Sequence, residues 1–437
     1  MSMHLTPPED LSPWDYAHYL AIETWLNDYQ PPPNASRLEQ VQGFLEAIHH
    51  SCEAQLWTTA HQIARMRIPT HEAPLHAKLG QWGYYREQIE LYQALCGRIH
   101  RQFDITCRQG LGQAYLQLSQ YEAATAQFTA LQTLAEEVGD SLGVMQAWGG
   151  LTDIAMTQYR YRQVIPLAQQ WLAIGREGAD LSQQAQALQR LGLAYVYLGR
   201  SQQGIKCLEE GRAIAQQTSD SMLLGSLLTA LANAWGWQNQ PAKALPYLTT
   251  QLELCRQQET GVAQIETLRL LGRSHFLLKE TEAAVDYFEQ ALALAEKLQI
   301  LGQLAVIYND LGVAYVYGCR AFEAGISLLE RSANRLQGEM SALPTAHLAY
   351  CYAALQQPEQ AHHYIQTALG RIKPSSAPEL KATKGVVYAC LAKTCWEQHQ
   401  YPLAFWFISR SLVISPPWQN ANGRLVLYNL LQHLQFW

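Results

Sequence analysis

Residues 271–291 read LGRSHFLLKETEAAVDYFEQA, and the reading of this stretch decides the fold. Leu271-Gly272 is followed by the ring of His275, then by the small Ala284, then by Phe288 and Ala291. The same order recurs upstream in Leu191-Gly192, Tyr195, Gly204 and Leu208, and earlier in Leu111-Gly112, Tyr115, Ala124 and Phe128. Leu231-Ala232, Trp235, Ala244 and Leu248 repeat it, as do Leu311-Gly312, Tyr315, Gly325 and Leu329 with one residue inserted at the turn. Leucines thus stand at Leu111, Leu151, Leu191, Leu231, Leu271 and Leu311, a period of 40 without drift.

Apolar residues at i, i+4 and i+7 make one buried helical stripe, so each copy predicts an antiparallel helix pair. The glycine beside the leucine and the small residue opening the second helix let the two backbones approach. Gly199 and Asn239-Gln240-Pro241 mark turns within pairs; Gly139-Asp140, Gly178-Ala179-Asp180 and Ser219-Asp220 mark turns between them. No segment carries a strand pattern, and the chain reads as all-α.

The period changes what length and composition mean. At roughly 150 residues per domain, 437 residues would suggest three domains, but stacked repeats share one continuous core. Hydrophobic residues make up 48% of the chain and charged residues only 16%, with 47 glutamines supplying much of the polar surface. The net charge is −6. No basic face is visible, which argues against nucleic acid and against an anionic membrane as partners. The nine cysteines are odd in number and scattered, as in a reducing compartment, and the first sixteen residues lack the basic and apolar regions of a secretory signal. Ser221–Ala242 is free of charge and long enough to span a bilayer, but its polar residues recur at helical spacing, so it reads as two packed helices meeting at a turn.

The Leu-Gly-x-x-Tyr, small-residue and Phe positions resemble the tetratricopeptide repeat. The 40-residue period is similar to the long variants of kinesin light chain and bacterial peptide-responsive regulators. The resemblance implies a right-handed superhelical solenoid of antiparallel helix pairs. On this reading residues 1–35 are an N-terminal helical extension, 36–103 degenerate hairpins, 104–338 the regular array, 339–415 divergent copies and 416–437 a C-terminal capping helix. Gln88 stands where the second helix of a degenerate copy expects Ala, and the extension carries Trp14, Tyr16, Tyr19 and Trp25, an aromatic load that must pack on the array or on a partner.

No P-loop and no nucleophile elbow is present. His71 and His76 are five apart with Pro74 between them, which is not the spacing of a metalloprotease helix. His49, His50, Cys52 and His61, and separately His347, His362 and His363, could converge on a metal, but such clusters in helical arrays are more often packing or solvent-facing residues. Tyr159-Arg160-Tyr161-Arg162 interleaves rings and cations but falls in a turn. Neither cofactor nor metal is expected.

The resemblance implies that the first helix of each pair lines a concave groove. Carried over copy by copy, this selects Gln113, Asp153, Gln189, Tyr197, Asn233, Trp237, Arg269, Arg273, Phe276, Asn309 and Tyr317 as partner-binding residues. Asn233 and Asn309 offer amides able to donate to and accept from a bound backbone. Arg269 and Arg273, four apart on one face, could grip a carboxylate. Tyr197, Trp237, Phe276 and Tyr317 would be apolar anchors.

The expected function is a non-catalytic scaffold, assembly factor or adaptor, cytoplasmic or held at a membrane through a partner, that takes a protein or peptide segment with an acidic side chain or C-terminus. One alternative is a ligand- or peptide-sensing regulator acting through a partner. The degenerate first hairpin also resembles arrays of cyanobacterial proteins, which implies an assembly factor of a photosynthetic membrane complex.

Overall fold

The computed structural model describes residues 12–67, 73–258, 260–372 and 378–414. The extension forms α1 (Pro13–Asn27), followed by α2 (Arg37–Glu53), α3 (Trp57–Ala64), α4 (Leu75–Gln81) and α5 (Tyr85–Leu95). A regular series comes next: α6 (Arg101–Gln117), α7 (Tyr121–Val138), α8 (Ser141–Thr157), α9 (Tyr161–Glu177), α10 (Leu181–Tyr197), α11 (Ser201–Gln217), α12 (Ser221–Trp237), α13 (Pro241–Gln257), α14 (Gly261–Leu277), α15 (Thr281–Lys297) and α16 (Leu301–Val313). The described chain ends with α17 (Phe322–Arg335), α18 (Ala342–Ala354), α19 (Pro358–Arg371), α20 (Pro378–Glu397) and α21 (Tyr401–Ile414). The only β-pairing among the described residues is an isolated bridge between Arg67 and Pro74. The protein is an all-α repeat solenoid, and the expected capping helix 416–437 lies outside the described residues.

From α6 to α16 a helix begins every twenty residues. Most of them stop by the same device. At the end of α6, Gln120 N–H donates to the Tyr115 carbonyl at 2.8 Å and Ser119 N–H to the Leu116 carbonyl at 3.0 Å, a Schellman closure. Among the described residues the one between helices is left-handed: Ser119, Gly139, Tyr159, Ala179, Gly199, Ser219, Asn239, Lys279 and Gln299. Most are not glycine, so the two closing bonds offset a conformational cost of about 1 kcal/mol at each. Helices also start alike. Asp140, Asp180 and Asp220 cap α8, α10 and α12, each accepting from the backbone N–H three residues on. Ser36 and Glu39 form a reciprocal capping box that starts α2.

The inserted residue of the sixth copy becomes a π-helical turn at Ala314–Cys319. Ala321 N–H still closes on the Tyr315 carbonyl at 2.9 Å, and the left-handed residue moves to Arg320. One extra residue is absorbed without losing the cap.

The described chain divides into two compact units, Met1–Gln158 with Ala173–Gly178 and Tyr159–Leu172 with Ala179–Trp437. The core of the first gathers Ile22, Leu79, Leu95 and Leu111, with a second cluster around Phe128 and Leu131. In the second, Leu208 and Leu231, Leu248 and Tyr308, and Leu391 and Phe407 are centres of successive clusters. Gly192 and Gly204 meet backbone to backbone: a Cβ on Gly204 would lie 2.6 Å from the Gly192 carbonyl oxygen. At Gly112 and Gly272 the glycine instead makes room for the rings of Phe128 and Phe288. Gln88, in place of the expected Ala, is buried against Gly80 and donates to the His76 carbonyl at 3.0 Å.

The extension packs on α2. Ile22 is fully buried, and a Cβ on Gly43 would meet the Trp25 carbonyl oxygen at 2.6 Å. Its outer face leaves Trp14, Tyr16 and Leu20 exposed. The charge-free stretch Ser221–Ala242 is α12 and the start of α13, joined through left-handed Asn239. No described helix is long and apolar enough to cross a membrane.

Candidate functional site

Of the residues selected from sequence, Gln113 on α6 is exposed and Asp153 on α8 is half-buried; both belong to the first unit. The others lie in the second. Gln189 on α10 is only 7% exposed. Its Nε2 donates to Ser226 Oγ on α12 at 2.9 Å and its Oε1 accepts from Arg190 at 3.2 Å, so both ends of the amide are used inside the protein. Asn233 on α12 is half-buried. On α16, Asn309 Nδ2 donates to Asp310 Oδ1 at 3.3 Å, while its buried Oδ1 has no partner.

The two arginines of α14 separate into different roles. Arg269 makes two bonds to Glu266, at 3.0 and 2.7 Å, and one to Asp310 on α16 at 2.8 Å. Burial alone would lower its pKa, but the Asp310 and Glu266 carboxylates outweigh burial and raise it. Arg269 is thereby neutralised. Arg273 makes no ion pair among the described residues and is exposed. The protein mass around it lowers its pKa first, opposed by Asp310 and added to by Arg269. Arg273 is thus reached by solvent while enough protein surrounds it for desolvation to be felt. The paired grip expected of Arg269 and Arg273 is therefore a single free cation beside a closed ion-pair network.

The network carries a stability consequence. Arg269→Ala would leave the Asp310 and Glu266 carboxylates unpaired, and its thermal melting is expected to show a loss of about 2 kcal/mol, discounted for their partial exposure. Arg273→Ala is expected to melt as the parent does.

The four aromatic anchors also divide. Tyr197 stacks on Tyr161 with ring centroids 4.4 Å apart and meets Trp237 edge-on at 4.5 Å; both Tyr197 and Trp237 stay half-buried. Phe276 packs against the cluster of Phe288 and Leu311. It stands five residues past its leucine, the register of buried Leu116, Val196 and Val316, whereas Tyr197 and Trp237 stand six past theirs. Tyr317 lies in the π-helical turn, donates or accepts at His347 Nδ1 across 2.9 Å and stacks on Tyr350 at 4.9 Å. Lys393 Nζ lies 4.7 Å from the Tyr350 ring centroid. Burial lowers the His347 pKa to about 4.

The histidine groups do not form metal sites among the described residues. His50 faces His18, with Nδ1 atoms 3.0 Å apart, and His61 packs edge-on against Phe103. His362 and His363 are exposed on α19 while His347 is buried. His71 lies outside the described residues. Tyr161 is 9% exposed, so the Tyr-Arg-Tyr-Arg turn cannot offer that ring to a base. Asp310, the residue that commits Arg269, was not selected from sequence; its place next to Leu311 is the only local signal, because the contact spans 41 residues.

Comparison with known proteins bears on this architecture. The Tetratricopeptide repeat family matches at residues 185–216 and 223–297. Tetratricopeptide repeat protein 29 of Homo sapiens is 22% identical over 182 residues, 40% of this chain, and its Macaca fascicularis counterpart matches to the same extent. The match spans only 38% of the length of those relatives. Among solved structures, the apo form of RapI aligns with a TM-score of 0.58 at 12% identity, covering 86% of this chain and 98% of that one. A Rap protein complexed with Competence and Sporulation Factor gives 0.54 at 12% identity, covering 81% and 97%. The apo quorum sensor NprR from B. thuringiensis gives 0.51 at 14% identity, covering 77% and 100%. These likenesses carry the fold. With the repeat grammar, the helix pairs and the family match in agreement, residues 185–216 and 223–297 are tetratricopeptide repeats, set within an all-α repeat solenoid whose copies are 40 residues long.

Proposed function

We propose that the protein is a non-catalytic interaction scaffold that captures a segment of a protein partner on the first helices α12, α14 and α16, with an acidic side chain or C-terminus of the partner against Arg273. One observation carries the reading: Arg273 is an exposed guanidinium with no carboxylate paired to it among the described residues, next to an arginine whose charge is already met. A carboxylate gains most from a cation that is partly desolvated and unpaired.

Affinity purification of the full chain from its native cell, followed by quantification against Arg273→Ala, tests this. A partner retained by the parent and lost at least tenfold by the variant, with melting unchanged, is the expected result. Equal retention would remove Arg273 from the site. A second reading, a ligand-sensing regulator acting through a partner, is favoured by a pocket of about 360 Å³ between α12, α13 and α14.

A further inference from the structure

The pair α12 and α13 departs from its neighbours at two facing positions. Where other first helices carry Ile105, Met145, Ala185, Ile265 and Ala305, α12 carries Gly225. Where other second helices carry Leu131, Trp171, Gly211, Ala291 and Ser332, α13 carries Gln251. Ser332 satisfies itself by donating to the Ala305 carbonyl at 2.7 Å. Gln251 does not. It is 6% exposed, its Nε2 donates to Cys255 Sγ at 3.4 Å, and its buried Oε1 has no partner. A Cβ on Gly225 would lie 2.7 Å from that oxygen, so the glycine is what admits the amide.

Gln251 forms part of the wall of the 360 Å³ pocket, with Met222, Gly225, Leu254, Cys255 and Ala263 around it. The hydroxyls nearby are used on their own helix: Thr229 donates to the Gly225 carbonyl at 3.1 Å and Ser226 to the Leu223 carbonyl at 2.9 Å. Glu266 at the rim is held by Arg269. Ser221, Gln258 and Thr260 add polar atoms to the lining, and behind the apolar part of the wall Gln251 Oε1 is a buried acceptor without a partner. The volume is more than twice the roughly 150 Å³ that accepts a benzene ring, and within the range of small-molecule sites. A charged ligand would meet no paired counter-charge inside and would be disfavoured by desolvation.

We propose that this pocket binds a small neutral aromatic molecule with a single N–H or O–H donor, whose ring fills the apolar wall while the donor bonds Gln251 Oε1. The proposal deepens the ligand-sensing reading and rests on it for its biological meaning, while the pocket shares no residue with the Arg273 contact.

Titrating the full chain with 5-fluoroindole, followed by fluorine NMR, tests it. Saturable binding is expected, with indole competing and 1-methylindole, which lacks the donor, about tenfold weaker. Gln251→Leu, which installs the residue found at Leu131, is expected to erase the difference between indole and 1-methylindole. Gly225→Ala, pressing on the amide from the facing helix, is expected to weaken both with helicity unchanged. Arg273→Ala is expected to leave heterocycle binding intact, so failure here and failure of the scaffold reading are separable. No saturation at millimolar ligand, or binding indifferent to N-methylation and to both variants, would overturn the proposal. Tighter binding of N-acetyltyrosinamide than of phenol would assign the pocket to a partner's side chain and overturn it as a small-molecule site.

Discussion

Gly204→Val is expected to destabilise the protein by about 3 kcal/mol, while Gly236→Ala stabilises it by about 0.5–1 kcal/mol. Both glycines lie in or at the end of helices with ordinary right-handed backbone, so propensity alone predicts a gain from either replacement. Packing reverses the sign at one of them. A Cβ at Gly204 would lie 2.6 Å from the Gly192 carbonyl oxygen and 2.5 Å from Val196 Cγ2, and the first of these is backbone that cannot step aside. A Cβ at Gly236 meets nothing within 4 Å. Because stability in such arrays is a sum over neighbouring repeats, the loss should concentrate in α10 and α11 and show as faster amide exchange there. Circular-dichroism melting of the two variants gives the sign directly. A neutral Gly204→Val would mean that the two helices slide apart without cost, contrary to a close-packed contact.

Acid is the second large lever. His76 and His347 are 8% and 4% exposed, and burial lowers each pKa to about 4 from an ordinary value near 6.5. Arg65 and His61 add to the effect at His76, whereas Asp310 opposes it at His347. Each histidine is held neutral against a hydroxyl, Tyr92 at 2.8 Å and Tyr317 at 2.9 Å. A folded-state pKa below the unfolded one means that the unfolded chain binds more protons between the two values. Stability is then fully present above pH 6.5 and falls as pH drops toward 4, by roughly 3 kcal/mol for each histidine. Melting at pH 7 and pH 4.5 should show the loss, and His76→Gln with His347→Gln should flatten the pH dependence while lowering stability at neutral pH. An unchanged slope in the double variant would place the acid sensitivity elsewhere.

The candidate site was partly legible before the structure. Arg269 and Arg273 stand four apart on one helix face, so their selection needed only helical geometry. Their division needed Asp310, 41 residues away, and no spacing rule within one helix reaches it. Phe276 and Tyr197 looked alike as aromatic anchors, but a shift of one residue turns a helical side chain by about 100°, and Phe276, half-buried like Tyr197, leans on the cluster of Phe288 and Leu311 instead of on a neighbouring ring. Gln251 carried a signal that went unused: compared across copies, it is the one amide in its register.

The 40-residue period by itself determined the all-α class, the pairing of helices and the places where they stop, because those depend on residues within one or two turns of each other. Aspartate caps, left-handed closures and the Gly192 and Gly204 approach are all local or repeat in register. The tertiary structure alone decided which arginine stays free, which rings are buried and where an amide is left without a partner. Those outcomes depend on what a neighbouring helix presents at a given height, and the repeat sets the height while leaving the occupant open. The inserted residue near Cys319 shows the division most plainly: its existence is a matter of counting, but its absorption as a π-helical turn follows from keeping the Tyr315 cap closed in three dimensions.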